Sequence, residues 1–261
     1  MKQKIYQVDA FANEVFSGNP AAVCPLEKWL SDDLMQKIVM ENNLAETAFY
    51  VKKNDKYEIR WFTPAAEVDL CGHATLATAF VLFNLENHIG DIIHLHSPRS
   101  GALTITKKED ELSLNFPTDV IKEIDLSPEL TACFDIKPKS AFKGKTDYLL
   151  VFEKESDIRN IKPDLNSIAK LEGRGVIITA EGDSVDFVSR FFAPQVGINE
   201  DPVTGSAHTT LIPIWAGKLN KSELSAIQLS ARKGYLSCKD LGERVEISGR
   251  CMLYLIGEIY I

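Results

Sequence analysis

The sequence predicts a two-lobed chain of mixed strands and helices, built from two diverged copies of one unit, with its functional site in the cleft between them. Three observations carry this. Arg60-Trp61-Phe62-Thr63-Pro64 recurs as Arg190-Phe191-Phe192-Ala193-Pro194, 130 residues later in a chain of 261. After each copy, an acidic loop runs into a small-residue helix start. The first is Glu67-Val68-Asp69-Leu70-Cys71-Gly72-His73-Ala74-Thr75, followed by LATAFVLF. The second is Glu200-Asp201-Pro202-Val203-Thr204-Gly205-Ser206-Ala207-His208, followed by TTLIPIW, and its loop is three residues longer. Short runs of alternating polarity dominate the chain, the pattern of half-buried strands.

Ile5, Gln7, Asp9 and Phe11 alternate with Tyr6, Val8 and Ala10, which reads as a strand. Residues 21–24, 44–51 and 57–63 read the same way. Ser31 is placed to cap a helix in which Leu34, Met35, Ile38 and Val39 share one face, ending near Asn42 and Asn43. Residues 103–106 and 112–116 flank Lys107-Lys108-Glu109-Asp110-Glu111, a solvated hairpin tip. Residues 176–179 form a further strand. The last stretch, 244–261, is strand-like, and the sequence leaves open whether its final strand returns to the first lobe. The lobes are expected over 1–118 and 119–261.

Composition narrows the function. Hydrophobic residues make up 45% and charged residues 25%, ordinary for a globular protein that buries a core. A formal net charge of -8 argues against attraction to a phosphate backbone, so nucleic acid is not expected as a partner. The N-terminal residues lack the apolar run of an export signal, and the apolar stretch 74–83 is too short to span a membrane, which points to a cytoplasmic protein. Cys24, Cys71, Cys133, Cys238 and Cys251 are odd in number, scattered and without a CxxC pair, as expected of reduced thiols.

Several residues are placed to do chemistry. Glu46 is the one charge in Leu44-Ala45-Glu46-Thr47-Ala48-Phe49-Tyr50-Val51 and shares a strand face with Leu44, Ala48 and Tyr50. Burial there would raise its pKa from about 4.3 and suit it to general acid/base work; a solvent-facing strand carboxylate is the plainer reading. His73 lies in the first turn of its helix, where the dipole disfavours the imidazolium, so a neutral ring is expected. Asp201 could orient a substrate amine or hydroxyl, and Ser206 could bind a carboxylate, against the alternatives of loop solvation and capping. Helix starts at Gly72 and Gly205 leave backbone N–H groups free, and each stabilises an anion by about 0.3–1 kcal/mol when exposed.

Other motifs fail. Ser206 and His208 are two apart on a helix and do not face each other, so no Ser/His/Asp triad forms with Asp201. Gly144-Lys145-Thr146 lacks the earlier glycine of a phosphate-binding loop, since Lys139 stands there. Gly173-Arg174-Gly175 precedes a strand instead of following one, so it is not a dinucleotide fingerprint. His94 and His96 share a strand face without a third ligand at a recognisable spacing, so no metal is expected.

Six segments together resemble the phenazine-biosynthesis PhzF-like family, related in fold to diaminopimelate epimerase. They are Asp9-Ala10-Phe11, Gly18-Asn19-Pro20-Ala21-Ala22-Val23, Asn43-Leu44-Ala45-Glu46-Thr47-Ala48-Phe49, Arg60-Trp61-Phe62-Thr63-Pro64, Cys71-Gly72-His73-Ala74-Thr75 and Asp201-Pro202-Val203-Thr204-Gly205-Ser206-Ala207-His208. The resemblance implies an α+β fold of two pseudo-symmetric lobes, each a curved, barrel-like sheet around a central helix. It implies a cofactor-free isomerase acting on a small carboxylate-bearing metabolite. Glu46 would be the acid/base residue, aided by His73 and Asp201, with Asn19, Gly72, Gly205 and Ser206 binding substrate. A homodimer and a biosynthetic role are implied in the same way. Diaminopimelate-type epimerases use two opposed cysteines. Cys71 stands where the first would, but the second copy has none near its helix start. The rival readings are a non-catalytic binding or interaction protein on this fold, and a racemase based on Cys71 alone.

Overall fold

The computed structural model describes residues 2–54 and 56–261. The chain divides into two compact units, Met1–Asn115 with Ser248–Ile261, and Phe116–Ile247.

In the first unit, β1 (Lys2–Ala10) pairs antiparallel with β2 (Asn19–Leu26). Gly18 makes the approach to β2 possible: it sits at φ +70°, and a Cβ there would meet the carbonyl oxygen of Ala10 at 2.3 Å. The buried Asp9 carboxylate accepts from the Phe16 N–H at 2.9 Å and holds the intervening loop. Helix α1 (Asp32–Asn42) then carries the chain across to β3 (Glu46–Lys53), which runs parallel to β2. As expected, the Ser31 hydroxyl caps α1 by accepting from the Leu34 N–H. Asp32 and Asp33 sit in its positive first turn, and Asn43 ends it in the left-handed conformation.

From β3 the chain turns back antiparallel as β4 (Lys56–Phe62), followed by the two-residue β5 (Glu67–Val68). Helix α2 (Gly72–Asn84) leads to β6 (Ile92–Ser97), parallel to β4. A hairpin of β7 (Gly101–Lys108) and β8 (Glu111–Pro117) follows, with Lys108 opposite Glu111 at the tip the sequence marks as charged.

The strand expected over 44–51 begins at Glu46 instead, and residues 47–51 are buried without alternation. The reason is burial on both faces. Phe49 and Val51 pack with Met35, Ile38 and Val39 of α1, while α2 packs on β1, β2 and β3. Apolar around most of its circumference, α2 buries Leu76, Val81 and Leu82 almost completely, as a central helix must. Each such side chain contributes about 1.5–3 kcal/mol relative to exposure.

The second unit repeats this order. Strand β9 (Lys122–Ile124) and the short α3 (Pro128–Thr131) precede β10 (Ser140–Lys143), which pairs with both β9 and β11 (Asp147–Val151). Short helices α4 (Glu155–Asn160) and α5 (Leu165–Ile168) stand where α1 stands in the first unit. Strand β12 (Gly175–Glu181) is parallel to β11 and antiparallel to β13 (Phe187–Phe192). A 3-10 turn at Pro194–Val196 leads through the longer loop to α6 (Gly205–Leu219). Then come β14 (Glu223–Gln228), parallel to β13, its antiparallel neighbour β15 (Gly234–Asp240), and β16 (Arg244–Gly249). The last strand, β17 (Cys251–Tyr260), which the sequence leaves unplaced, runs antiparallel along β1.

All five cysteines are free and buried. No described helix is long and apolar enough to cross a membrane.

Candidate functional site

The repeated arginine motif has a structural job in both units. Arg60 on β4 pairs bidentately with Glu67, at 2.7 and 2.8 Å, and lies over the Phe62 ring. Arg190 on β13 pairs in the same way with Glu200, at 2.7 and 3.0 Å, and lies over Phe192. Each fork clamps the loop that delivers the next helix start.

Glu46 opens β3 on the face that meets α2. There its Oε2 lies 3.0 Å from Nε2 of His73, the second residue of α2. Both side chains are largely buried, at 12% and 7% exposure. The contact is an ion pair by its distance, and beyond it Glu46 Oε2 has no hydrogen-bond partner among the described residues. Cys71, the N-cap of α2, places Sγ 3.6 Å from His73 Nδ1 and 3.9 Å from Nε2. Asn19 is fully buried and brings its amide nitrogen to 3.3 Å from His73 Nδ1. Which of the two atoms donates there depends on the protonation of the ring. Four residues singled out from the sequence therefore form one cluster.

The charge on His73 differs from the sequence-based expectation. Burial opposes the imidazolium, but the Cys71 sulfur and the Glu46 carboxylate outweigh it and raise the pKa well above the usual histidine value. Cys71 itself is pushed up, by burial and then by Glu46. Of the two groups that favour the charged ring, the Cys71 sulfur has the larger influence and the Glu46 carboxylate the next. Together they win over the helix dipole that suggested a neutral ring.

Gly72 begins α2 with no side chain capping it, and Thr204 likewise leaves α6 uncapped by a side chain at Gly205. This contrasts with Ser31, Ser127 and Asp164, whose side chains accept from the first-turn N–H groups of their helices. The first-turn N–H groups of α2 and α6 thus lack that internal acceptor.

In the second unit, Asp201 accepts from the Thr204 hydroxyl at 2.6 Å, and its carbonyl accepts from Gln228 Nε2 at 2.7 Å. Gln228 also accepts from the Thr204 N–H at 2.8 Å. Ser206 accepts at 2.9 Å from Arg174, whose guanidinium also grips the buried Asp147 carboxylate. His208 is buried and points Nδ1 at the Thr204 carbonyl, 2.9 Å away, apart from Ser206 as its spacing requires. Sequence reasoning missed Arg174, Asp147 and Gln228. Arg174 was visible between two glycines before a strand, but nothing in the spacing links it to Ser206, 32 residues further on.

His94 and His96 are exposed on one face of β6. Two surface grooves of about 310 and 420 Å³ run along α1 and β17, and neither is lined by Glu46, Cys71 or His73.

Comparison with known proteins agrees with this fold. A family model described as phenazine biosynthesis-like protein matches residues 8–257. An uncharacterized isomerase of Pseudomonas aeruginosa is 50% identical over 260 residues, covering 99% of both chains. The crystal structure of a PhzF-family phenazine biosynthesis protein from Enterococcus faecalis superposes with a TM-score of 0.98 at 51% identity, covering 100% of each chain. A hydroxyproline epimerase from Agrobacterium vitis shares the fold, with a TM-score of 0.64 at 10% identity over 99% of this chain and 92% of that one. Helix-centred units in repeated order, the paired arginine clamps and matches along nearly the whole chain lead to one assignment: the chain belongs to the phenazine biosynthesis-like protein family.

Proposed function

We propose that the protein is an isomerase that moves a proton on a small carboxylate-bearing metabolite, with Glu46 as general acid and base. The observation that carries this reading is the buried Glu46–His73 pair, 3.0 Å apart, beside a helix start without a side-chain cap. A carboxylate in that setting is placed to act as a base. Glu46 takes the proton from the carbon next to the substrate carboxylate. The C–H bond breaks and its electron pair spreads into the carboxylate as an enediolate. The Glu46 acid then returns the proton to another carbon, or to the opposite face of the same one. Such general acid/base catalysis supplies about 10²–10⁴ in rate.

His73 faces the carboxylate, and Asn19 holds the ring in place through Nδ1. The N–H groups at Gly72 suit a carboxylate. In the second unit, Asp201 is assigned to substrate orientation, and Gly205 and Ser206 to anion binding.

Cys71 is the rival base. Its thiol is held protonated by burial and by Glu46, which favours the carboxylate in that role. Iodoacetamide treatment separates the two: the glutamate reading keeps its activity, whereas a cysteine base loses it.

The deciding experiment is deuterium wash-in. Wild type and Glu46→Gln are incubated in D₂O with a panel of carboxylic and amino acids, and mass shifts are scored. Uptake by wild type and not by the variant is the expected result and names the substrate class. Equal uptake by both removes Glu46 from the chemistry. Tight ligand binding without uptake, indifferent to Glu46→Gln, makes the protein a binding module.

A further inference from the structure

We propose that Glu46, Cys71 and His73 also form a preformed site for a thiophilic divalent cation of the zinc class. A carboxylate oxygen, an imidazole nitrogen and a sulfur lie within 4.8 Å of one another. Oε2 and Nε2 are 3.0 Å apart, and Sγ and Nε2 are 3.9 Å apart. Tetrahedral zinc, with bonds of about 2.0–2.1 Å to nitrogen and oxygen and 2.3 Å to sulfur, sets donor separations of about 3.3–3.6 Å. The two measured separations bracket that range, and the third, between Oε2 and Sγ, is at most 4.8 Å, so side-chain movement of up to about 1 Å closes the set.

Three further features support a ligand here. Glu46 Oε2 is buried and, beyond its ion pair with His73, has no hydrogen-bond partner among the described residues. The donors come from a strand start, a helix cap and a first helical turn, which fixes them more firmly than a loop would. Asn19 meets the ring nitrogen that faces away from Glu46, where metal-bound histidines ordinarily find the partner that orients them.

The donor mixture selects the cation. One thiolate and one imidazole with one carboxylate suit zinc or cobalt, whereas magnesium and calcium need six or more oxygens. On binding, the Cys71 S–H and His73 Nε2–H bonds break and both protons leave to solvent, while the sulfur electron pair and the freed Nε2 lone pair form the bonds to the metal. Nδ1 keeps the remaining ring proton, and the Asn19 amide, whose nitrogen faces Nδ1 in the metal-free site, turns over to accept it. A bound cation occupies the Glu46 lone pair that proton abstraction uses, so it also stops the reaction proposed above. The binding claim does not depend on that reaction.

Cobalt chloride and zinc chloride titrations of the purified full chain test the site without any substrate. Wild type is expected to bind one Co²⁺ with the near-ultraviolet absorption of a cobalt–thiolate bond, and Zn²⁺ is expected to displace it stoichiometrically. Cys71→Ser should abolish the absorption, and Asn19→Ala should weaken binding by about 10–100-fold. Glu46→Gln should weaken binding by at least as much and covers the case in which Cys71→Ser fails to fold. Cys24→Ser, at a buried cysteine outside the cluster, should leave both signals unchanged. The proposal is overturned if wild type shows no saturable binding or no thiolate absorption, or if the absorption survives in folded Cys71→Ser. Metal binding alongside deuterium uptake that ignores Glu46 would retain this site and reject the catalytic reading.

Discussion

The two helix starts, at α2 and α6, share a frame and differ in what they carry. In both, glycine is the first helical residue and alanine the third, and the fourth side chain bonds back to the cap carbonyl. Thr75 does so at 2.6 Å and His208 at 2.9 Å. The second position is His73 in one and Ser206 in the other, and the caps are Cys71 and Thr204. The adjoining strands differ more. Phe49 lies opposite Arg60 and Ile178 opposite Arg190, so the register sets Glu46 in correspondence with Gly175. No carboxylate can stand at Gly175, where even a Cβ would meet the Phe192 carbonyl at 2.6 Å. Beside it, Arg174 reaches Ser206. One start therefore has an acid and an imidazole, groups that move protons. The other has a guanidinium and a hydroxyl, groups that hold anions. The two starts share a scaffold and divide these side-chain types between them.

The largest expected effect breaks that division. Glu46→Gln should lower deuterium exchange by about 10²–10⁴, the usual worth of a general base. Ser206→Ala, at the second start, should act mainly on KM, because a hydrogen bond made equally to substrate and transition state does not change kcat. Steady-state kinetics on the substrate found by wash-in decides between these patterns. If Ser206→Ala also collapses kcat with KM unchanged, the chemistry is not confined to the first unit.

A second contrast concerns the clamps. Arg190 serves Glu200 and donates to the Ile158 and Ile161 carbonyls at 3.2 and 3.1 Å, so Arg190→Ala strands three acceptors at once. Arg60→Ala leaves Glu67 with Arg99, 3.0 Å away. Denaturant unfolding should show a cost of about 3 kcal/mol for Arg190→Ala, and about 1 kcal/mol less for Arg60→Ala. Equal costs would mean that the helical carbonyls find water when the arginine is removed.

What the sequence made legible follows from how local each cause is. Ser31, Asn43 and the charged hairpin tip act within a few residues, and all three stand where the pattern puts them. The recurrence of Arg60 and Arg190 exposed the duplication because both clamps need the same fork. Glu46 and His73 were visible as residues out of place, a charge in an apolar run and an imidazole at a helix start. Their contact was not visible, because it depends on how β3 and α2 pack. The sign of the His73 shift was missed in part for the same reason: the dipole is local, and one of the two groups that oppose it, the Glu46 carboxylate, is 27 positions away in the chain. Arg174 and Gln228 act across similar separations, with no periodicity to reveal them.

The two buried histidines turn the same contrast into a pH profile. Burial pushes His208 down to about 4, with the Thr204 carbonyl only partly opposing, so it folds as a neutral ring. Its folded pKa lies below the unfolded value near 6.5, so its share of stability is present above pH 6.5 and lost as pH falls toward 4. That share is about 3 kcal/mol. His73 has the opposite sign. Its folded pKa is raised, so its share is complete below pH 6.5 and is lost as pH rises through the folded value. Urea midpoints measured from pH 4 to pH 9 should therefore fall on both sides. His208→Leu should flatten the acid limb alone, because it removes the ring that must charge on unfolding. Glu46→Gln should flatten the alkaline limb in part and leave the acid limb alone, because it removes one of the two groups that favour the charged His73 ring. If Glu46→Gln leaves the alkaline limb intact, the carboxylate does not help to charge His73, and the proposed proton-handling pair at the first helix start is wrong.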